Sequence, residues 1–151
     1  MPFRLSTRGR YGIRAIAKLA RHFGDKPIST RTIAREEHIP IRYLEQIMVR
    51  LRREGIVKST RGPGGGYTLT RPPDRIRLGD VLRILEGTVS LVSCIDKRGN
   101  RACSSEATCV PKYFWSKLGS AIQRTLDETS LLELVEKNWK DDPVRTPKTE
   151  E

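Results

Sequence analysis

Residues 62 to 66 of this chain read Gly-Pro-Gly-Gly-Gly, inside the stretch "IVKSTRGPGGGYTLTRPP", and no other feature narrows its fold as far. Glycine tolerates backbone angles that other residues avoid, and proline fixes one angle and removes a donor, so the run is neither helix nor strand interior and has to be a turn. Ile56-Val57 precede it and Tyr67-Thr68-Leu69 follow it, which predicts a short β-hairpin. A glycine-rich run can instead cradle a nucleotide phosphate, but only with a helix opening directly after it and a Lys-Ser/Thr pair or a third spaced glycine. A second β-prone segment follows here, so that reading fails.

Helical spacing surrounds the hairpin. In "GRYGIRAIAKLARHFGD" the residues Tyr11, Ile13, Ala15, Ile16, Leu19, Ala20 and Phe23 recur at three- and four-residue steps, with Gly24 as a stop. Ser29 or Thr30 caps a second helix, "TRTIAREEHI", which Pro40 interrupts. "IRYLEQIMVRLRREGI" follows, with an apolar stripe of Ile41, Leu44, Ile47, Met48 and Leu51 that ends at Gly55. Two short helices about a proline-marked turn read as a helix-turn-helix. With a hairpin behind them they make a winged helix.

The second half carries a short amphipathic helix, "RLGDVLRILEG", whose Leu78, Val81, Leu82 and Leu85 face back to the winged domain. Pro111 opens a longer helix, "PKYFWSKLGSAIQRTLDE", with Phe114, Trp115, Leu118, Ile122 and Leu126 at helical steps. A domain of about 75 residues has little left to cover that stripe, so a second copy of the chain is the expected cover. The expected fold class is mainly α with a small β-hairpin wing: a winged helix-turn-helix domain plus a long dimerisation helix. The boundaries are 1–75 for the DNA-binding domain, 76–110 for the linking helix and a cysteine-containing loop, 111–139 for the dimerisation helices and 140–151 for a polar, disordered tail.

Charge separates the same halves. Residues 1–73 hold 16 lysines and arginines against 5 acidic residues, while residues 74–151 hold 13 of each, so the whole net charge of +11 belongs to the first half. A basic module joined to a neutral one suits a polyanion partner. No apolar run approaches the roughly 20 residues of a membrane span, and the N-terminal "MPFRLSTRGR" has no apolar stretch of signal-peptide length behind its basic residues. The expectation is a cytoplasmic protein with no membrane partner and with reduced thiols. The two histidines, His22 and His38, lie far from the cysteines in sequence, and no nucleophile-base pair is apparent, so the chain is not expected to be an enzyme.

In a helix-turn-helix the N-terminal part of the second helix enters the major groove. That selects Arg42, Tyr43, Glu45 and Gln46, opposite the apolar stripe, as candidate base readers of double-stranded DNA. Glu45 should discriminate between sequences rather than add affinity, because a carboxylate among phosphates is costly unless it accepts from a cytosine amino group. At the wing tip Arg61 suits the narrow minor groove, and Gly62, Gly64 and Gly65 let the backbone approach the duplex. Arg10, Arg14, Arg50, Arg52, Arg53 and Lys58 are candidate phosphate contacts.

The blocks "RLSTRGRYGIRAIAKLA", "YLEQIMVRLRREGIVKSTRGPGGGY" and "LGDVLRILEG" together resemble the IscR-type family of iron-sulfur regulators from about Arg4 to about Val135. The resemblance implies base-reading or base-excluding work at Arg42, Glu45 and Gln46, a minor-groove arginine at Arg61, a dimer through the long helix, and a pseudo-palindromic operator. Relatives called NsrR, RirA and CymR share the architecture and sense different things, so the resemblance fixes DNA binding better than it fixes the signal. The implied activity is that of a transcriptional regulator, mainly a repressor.

All three cysteines, Cys94, Cys103 and Cys109, fall in "CIDKRGNRACSSEATC". Three thiolates suit an iron-sulfur cluster, expected as 2Fe-2S with 4Fe-4S as the other possibility. A structural zinc site would want paired C-x2-4-C spacing and a fourth Cys or His. Iron-sulfur members often carry a histidine three residues after the third cysteine, where this chain has Lys112, a poor ligand. The acidic helix-one ligand of NsrR-type relatives is matched by Arg10, also unsuitable. Glu106, Asp96, Ser104 or a His22 from a second subunit remain as fourth donors. The open alternatives are a cluster-free thiol-based redox sensor, a CymR-like regulator controlled by a protein partner, and three thiols with no ligand.

Overall fold

The computed structural model describes residues 5–87 and 105–137. Three helices, α1 (Thr7–Arg21), α2 (Thr30–Glu36) and α3 (Ile41–Arg53), lead into a hairpin of β1 (Val57–Thr60) and β2 (Gly66–Leu69). A 3-10 turn at Pro73–Arg75 precedes α4 (Leu78–Glu86), and a second one at Glu106–Thr108 precedes α5 (Lys112–Glu128) and α6 (Leu131–Glu136). The result is a mainly helical winged-helix fold with one two-stranded antiparallel sheet among the described residues, as the sequence implies.

Local chemistry sets the helix ends. The Ser6 hydroxyl accepts from the Gly9 amide at 3.2 Å and the Ser29 hydroxyl from the Thr32 amide at 3.1 Å, so serines cap α1 and α2. The second helix stops short of the proline expected to interrupt it. Glu37 ends it, His38 takes a left-handed φ of 52°, and the Ile39 amide returns to the Ala34 carbonyl at 2.9 Å. That is a Schellman-type ending with histidine where glycine is usual. Pro40 instead caps α3, and its carbonyl accepts from the Leu44 amide at 3.0 Å.

One core joins these elements. Ile16 of α1, Ile33 of α2, Leu44, Ile47, Met48 and Leu51 of α3, Ile56, Leu85 of α4 and Leu131 of α6 are all buried in a single cluster. No polar or charged residue is buried among the described residues. Gly12 makes the closest approach possible: a Cβ there would lie 2.1 Å from the Leu85 Cδ1, so α4 presses onto the backbone of α1. Two residues expected in the apolar stripes of α1 and α3 lie outside the core, Phe23 at 45% and Ile41 at 41% exposure. Phe23 falls beyond the last turn of α1, and Ile41 is the first residue of α3, where the helix emerges from its neighbours.

The hairpin pairs Val57 with Leu69 and Thr60 with Gly66, and β2 is tied to the segment before α2 by reciprocal hydrogen bonds between Tyr67 and Ile28 at 2.8 and 3.1 Å. The chain after α5 returns to the same body, because the Leu131 amide donates to the Ile76 carbonyl at 2.8 Å and the Leu78 amide to the Thr129 carbonyl at 3.0 Å. In contrast, α5 has no buried residue along its 17 residues.

Candidate nucleic-acid interface

The four buried residues of α3 orient the rest of that helix. With Leu44, Ile47, Met48 and Leu51 in the core, the opposite side presents Arg42, Glu45, Gln46, Val49, Arg50 and Arg53, all exposed. These six, with Glu54 and the flank of Ile84 on α4, line one open depression. Three of the four expected base readers thus lie together on one accessible face. Tyr43 lies elsewhere, half-buried with its ring edge-on to Tyr11 at 5.7 Å and 88° and packed against the core. Its place on the helix is that of a brace between α3 and α1. Val49 and Ile84 escaped the sequence reading, although Val49 stands four residues after Glu45 and helical spacing alone could have placed it there.

The wing offers a second basic point. Arg61 is exposed at the end of β1, next to a tight turn in which the Gly65 amide donates to the Gly62 carbonyl at 2.9 Å. A side chain at position 65 would put its Cβ 2.2 Å from the Thr60 carbonyl oxygen, so only glycine fits that corner. Arg52 reaches from α3 to the Ser59 hydroxyl of β1 at 3.4 Å and steadies the wing against the helix.

Some expected phosphate contacts have internal partners. Arg14 pairs with the Glu37 carboxylate at 3.7 Å and donates to the Glu37 carbonyl. Lys18 meets Glu36 at 2.6 Å, and these two pairs tie α1 to α2. The Glu36 carboxyl is held below its ordinary range, chiefly by the hydrogen bond from Lys18. Arg10, Arg50, Arg53 and Lys58 are exposed. Elsewhere Arg83 of α4 spans to α5 through Asp127 at 2.7 Å and Gln123 at 3.3 Å, and also holds Asp80 at 3.0 Å. The guanidinium's own pKa is raised by the hydrogen bond to Asp127 and then by that to Asp80.

Of the cysteines, Cys109 is described and the other two, Cys94 and Cys103, lie outside the described residues, as do Asp96 and Ser104. Cys109 is half-buried with a free thiol; it ends the second 3-10 turn, and its carbonyl accepts from the Lys112 amide at 3.2 Å, directly before α5. His22 pairs with Asp25 at 3.2 Å at the end of α1. Among the described residues no three His, Cys, Asp or Glu side chains converge on a point that could hold a metal ion. No helix among them is long and apolar enough to cross a membrane.

Comparison with known proteins gives this geometry a context. The family model Rrf2, described as iron-dependent transcriptional regulator, matches residues 5–137. The HTH-type transcriptional regulator IscR of Aliivibrio salmonicida is 36% identical over 135 residues, covering 89% of this chain and 79% of that protein. The structure of CymR, the global cysteine regulator of B. subtilis, superimposes with a TM-score of 0.77 at 36% identity, covering 88% of this chain and 96% of its own. The oxidized form of Staphylococcus aureus CymR gives a TM-score of 0.73 at 35% identity, over 89% and 98% of the two chains.

Proposed function

The chain belongs to the Rrf2 family of transcriptional regulators, and on that premise we propose that it is a cytoplasmic, homodimeric repressor whose site choice follows a cluster held by Cys94, Cys103 and Cys109. The observation that carries the DNA half of this reading is the outer face of α3, where Arg42, Glu45, Gln46, Arg50 and Arg53 stand together beside a wing ending in Arg61. Gln46 and Arg42 read purine edges, Glu45 excludes sites without a cytosine amino group, and Tyr43 holds the helix angle. Arg61, with Gly62, Gly64 and Gly65, follows the minor groove, and the remaining exposed arginines contact phosphates. The proposed domains are those of the sequence reading: residues 1–75 bind DNA, 76–110 carry the cysteines, 111–139 dimerise and 140–151 form a polar tail.

The sensing half rests on donor chemistry. Three thiols in sixteen residues match the thiolate preference of an iron-sulfur cluster. Cys109 is half-buried directly before the first turn of α5. Lys112 is not a ligand, so the fourth donor comes from elsewhere. The cluster, 2Fe-2S by preference, supplies a centre that responds to redox state, nitric oxide or cluster supply. The chain's part is to couple its binding to the angle between the two reading heads.

Anaerobic purification followed by absorption, iron and sulfide measurement tests the cluster, and each single Cys→Ala variant should abolish it. A salt titration on duplex DNA tests the other half: log K should fall steeply with log salt, and a flat line would remove the DNA reading. A second reading is favoured by Lys112 and by the likeness to CymR in its oxidized form: the thiols act without metal. Protein that stays colourless when pure, yet loses DNA affinity on mild oxidation, would select it.

A further inference from the structure

The outer face of α3 deepens the DNA-binding reading, on which the following rests. Ile41 and Val49 are each 41% exposed, although both are β-branched hydrophobes and the helix has a complete core face for such residues. They sit four residues on either side of Glu45, so Ile41, Glu45 and Val49 form one row along the helix, with steps of about 6 Å. The neighbouring row is Arg42, Gln46 and Arg50, also exposed. The chemistry of the two rows differs in a regular way.

In the major groove a carboxylate has one good partner, the cytosine N4 amino group, and an aliphatic side chain has one, the thymine 5-methyl. Both belong to pyrimidines. Arginine pairs best with guanine and glutamine with adenine, and both of these are purines. The α3 face therefore carries a pyrimidine-type row beside a purine-type row, as a duplex carries a pyrimidine-rich strand beside its purine-rich complement. Charge explains the arginines as phosphate contacts, but it does not explain two aliphatic side chains held in water on the same face.

We propose that the row Ile41, Glu45 and Val49 reads a pyrimidine run on one strand. Glu45 accepts from the amino group of a cytosine, and Ile41 and Val49 contact the methyl groups of thymines on either side of it. The step of about 6 Å along the helix spans up to two base steps of about 3.4 Å each, so the thymines lie within two positions of the cytosine. Arg42 and Gln46 meet the guanine and adenine of the complementary strand. Ile41 and Val49 are thus specificity-determining residues rather than surface accidents.

The test uses the full chain and the duplex that it enriches from a randomised pool. Each thymine of the half-site is replaced in turn by uracil, which removes the methyl and leaves the pairing intact. Loss of one buried methyl should weaken binding about fourfold at two positions within two steps of a cytosine. Ile41→Ala and Val49→Ala should each lower affinity for the thymine duplex by a similar factor, and each should abolish the response to uracil at one position only. Both side chains are exposed, so the variants should fold, and uracil scanning with the unaltered protein decides the matter without them. An enriched half-site with no thymine within two steps of a cytosine, or equal affinity for thymine and uracil duplexes, overturns this proposal and leaves DNA binding intact. A chain that enriches no duplex overturns both.

Discussion

Arg61 draws its reach from its neighbours, because the glycines after it keep side chains off the wing tip and a Cβ at position 65 would collide with the Thr60 carbonyl. Arg61→Ala should therefore lower affinity for the preferred site by roughly 1–3 kcal/mol while leaving the melting temperature unchanged, as a fluorescence titration beside a thermal scan would show. A second residue-scale prediction concerns pH. Lys18 holds the Glu36 carboxyl below its ordinary value, so the folded state binds this proton less readily than the unfolded chain does. The pair's contribution is present above the unfolded carboxylate pKa and is lost as pH falls through the lower folded value. The stability gap between the wild type and Lys18→Met should be small, since the pair is solvent-screened, and should close as pH drops below the carboxylate range. Thermal scans across acid pH measure it. At this scale the sequence told which α3 residues face outward, because spacing from Leu44, Ile47 and Leu51 dictates it. It misplaced Ile41, whose position at the helix end escapes the core, and Tyr43, whose partner Tyr11 is remote in sequence.

Packing between elements turns on a few small contacts. The Leu85 side chain of α4 fills the space that a side chain at Gly12 of α1 would need. Gly12→Ala should force these helices apart and cost about 1–3 kcal/mol, read as a shift of the urea midpoint; an unshifted midpoint would mean that the two helices are not in close contact. Among the described residues, helices α1 to α5 and both strands were legible from periodicity, a cap at Ser29 and the glycine run. What escaped was long-range. Arg83 grips Asp127 across 44 positions, and no local pattern marks that pair as the link between α4 and α5. His38 likewise gave no signal that it would take the left-handed turn closing α2.

For the whole molecule the open question is what covers α5. Tyr113, Phe114 and Leu118 are 75%, 55% and 36% exposed, and the helix has no buried residue. Apolar area of that kind on a long helix is stable in water when a second copy covers it. Leu118→Asp should convert a dimer at micromolar concentration into a monomer in sedimentation velocity, with the helical circular dichroism of the winged domain retained. An unaltered sedimentation coefficient would place the dimer contact elsewhere. The apolar stripe of this helix was readable at once from its spacing. The candidate cluster site was readable only as three cysteines within residues 94–109, since no local pattern marks a fourth donor.

Leu131 has a consequence in the living cell. It is fully buried in the same cluster as Ile16 and Leu44, although it follows them by more than eighty positions. A ribosome making this chain releases α1, α2, α3 and the wing early, yet the core that sets their arrangement lacks a member until the segment beyond α5 has emerged. A nascent chain therefore completes the packing beneath α1 and α3 only after α5 has also been made.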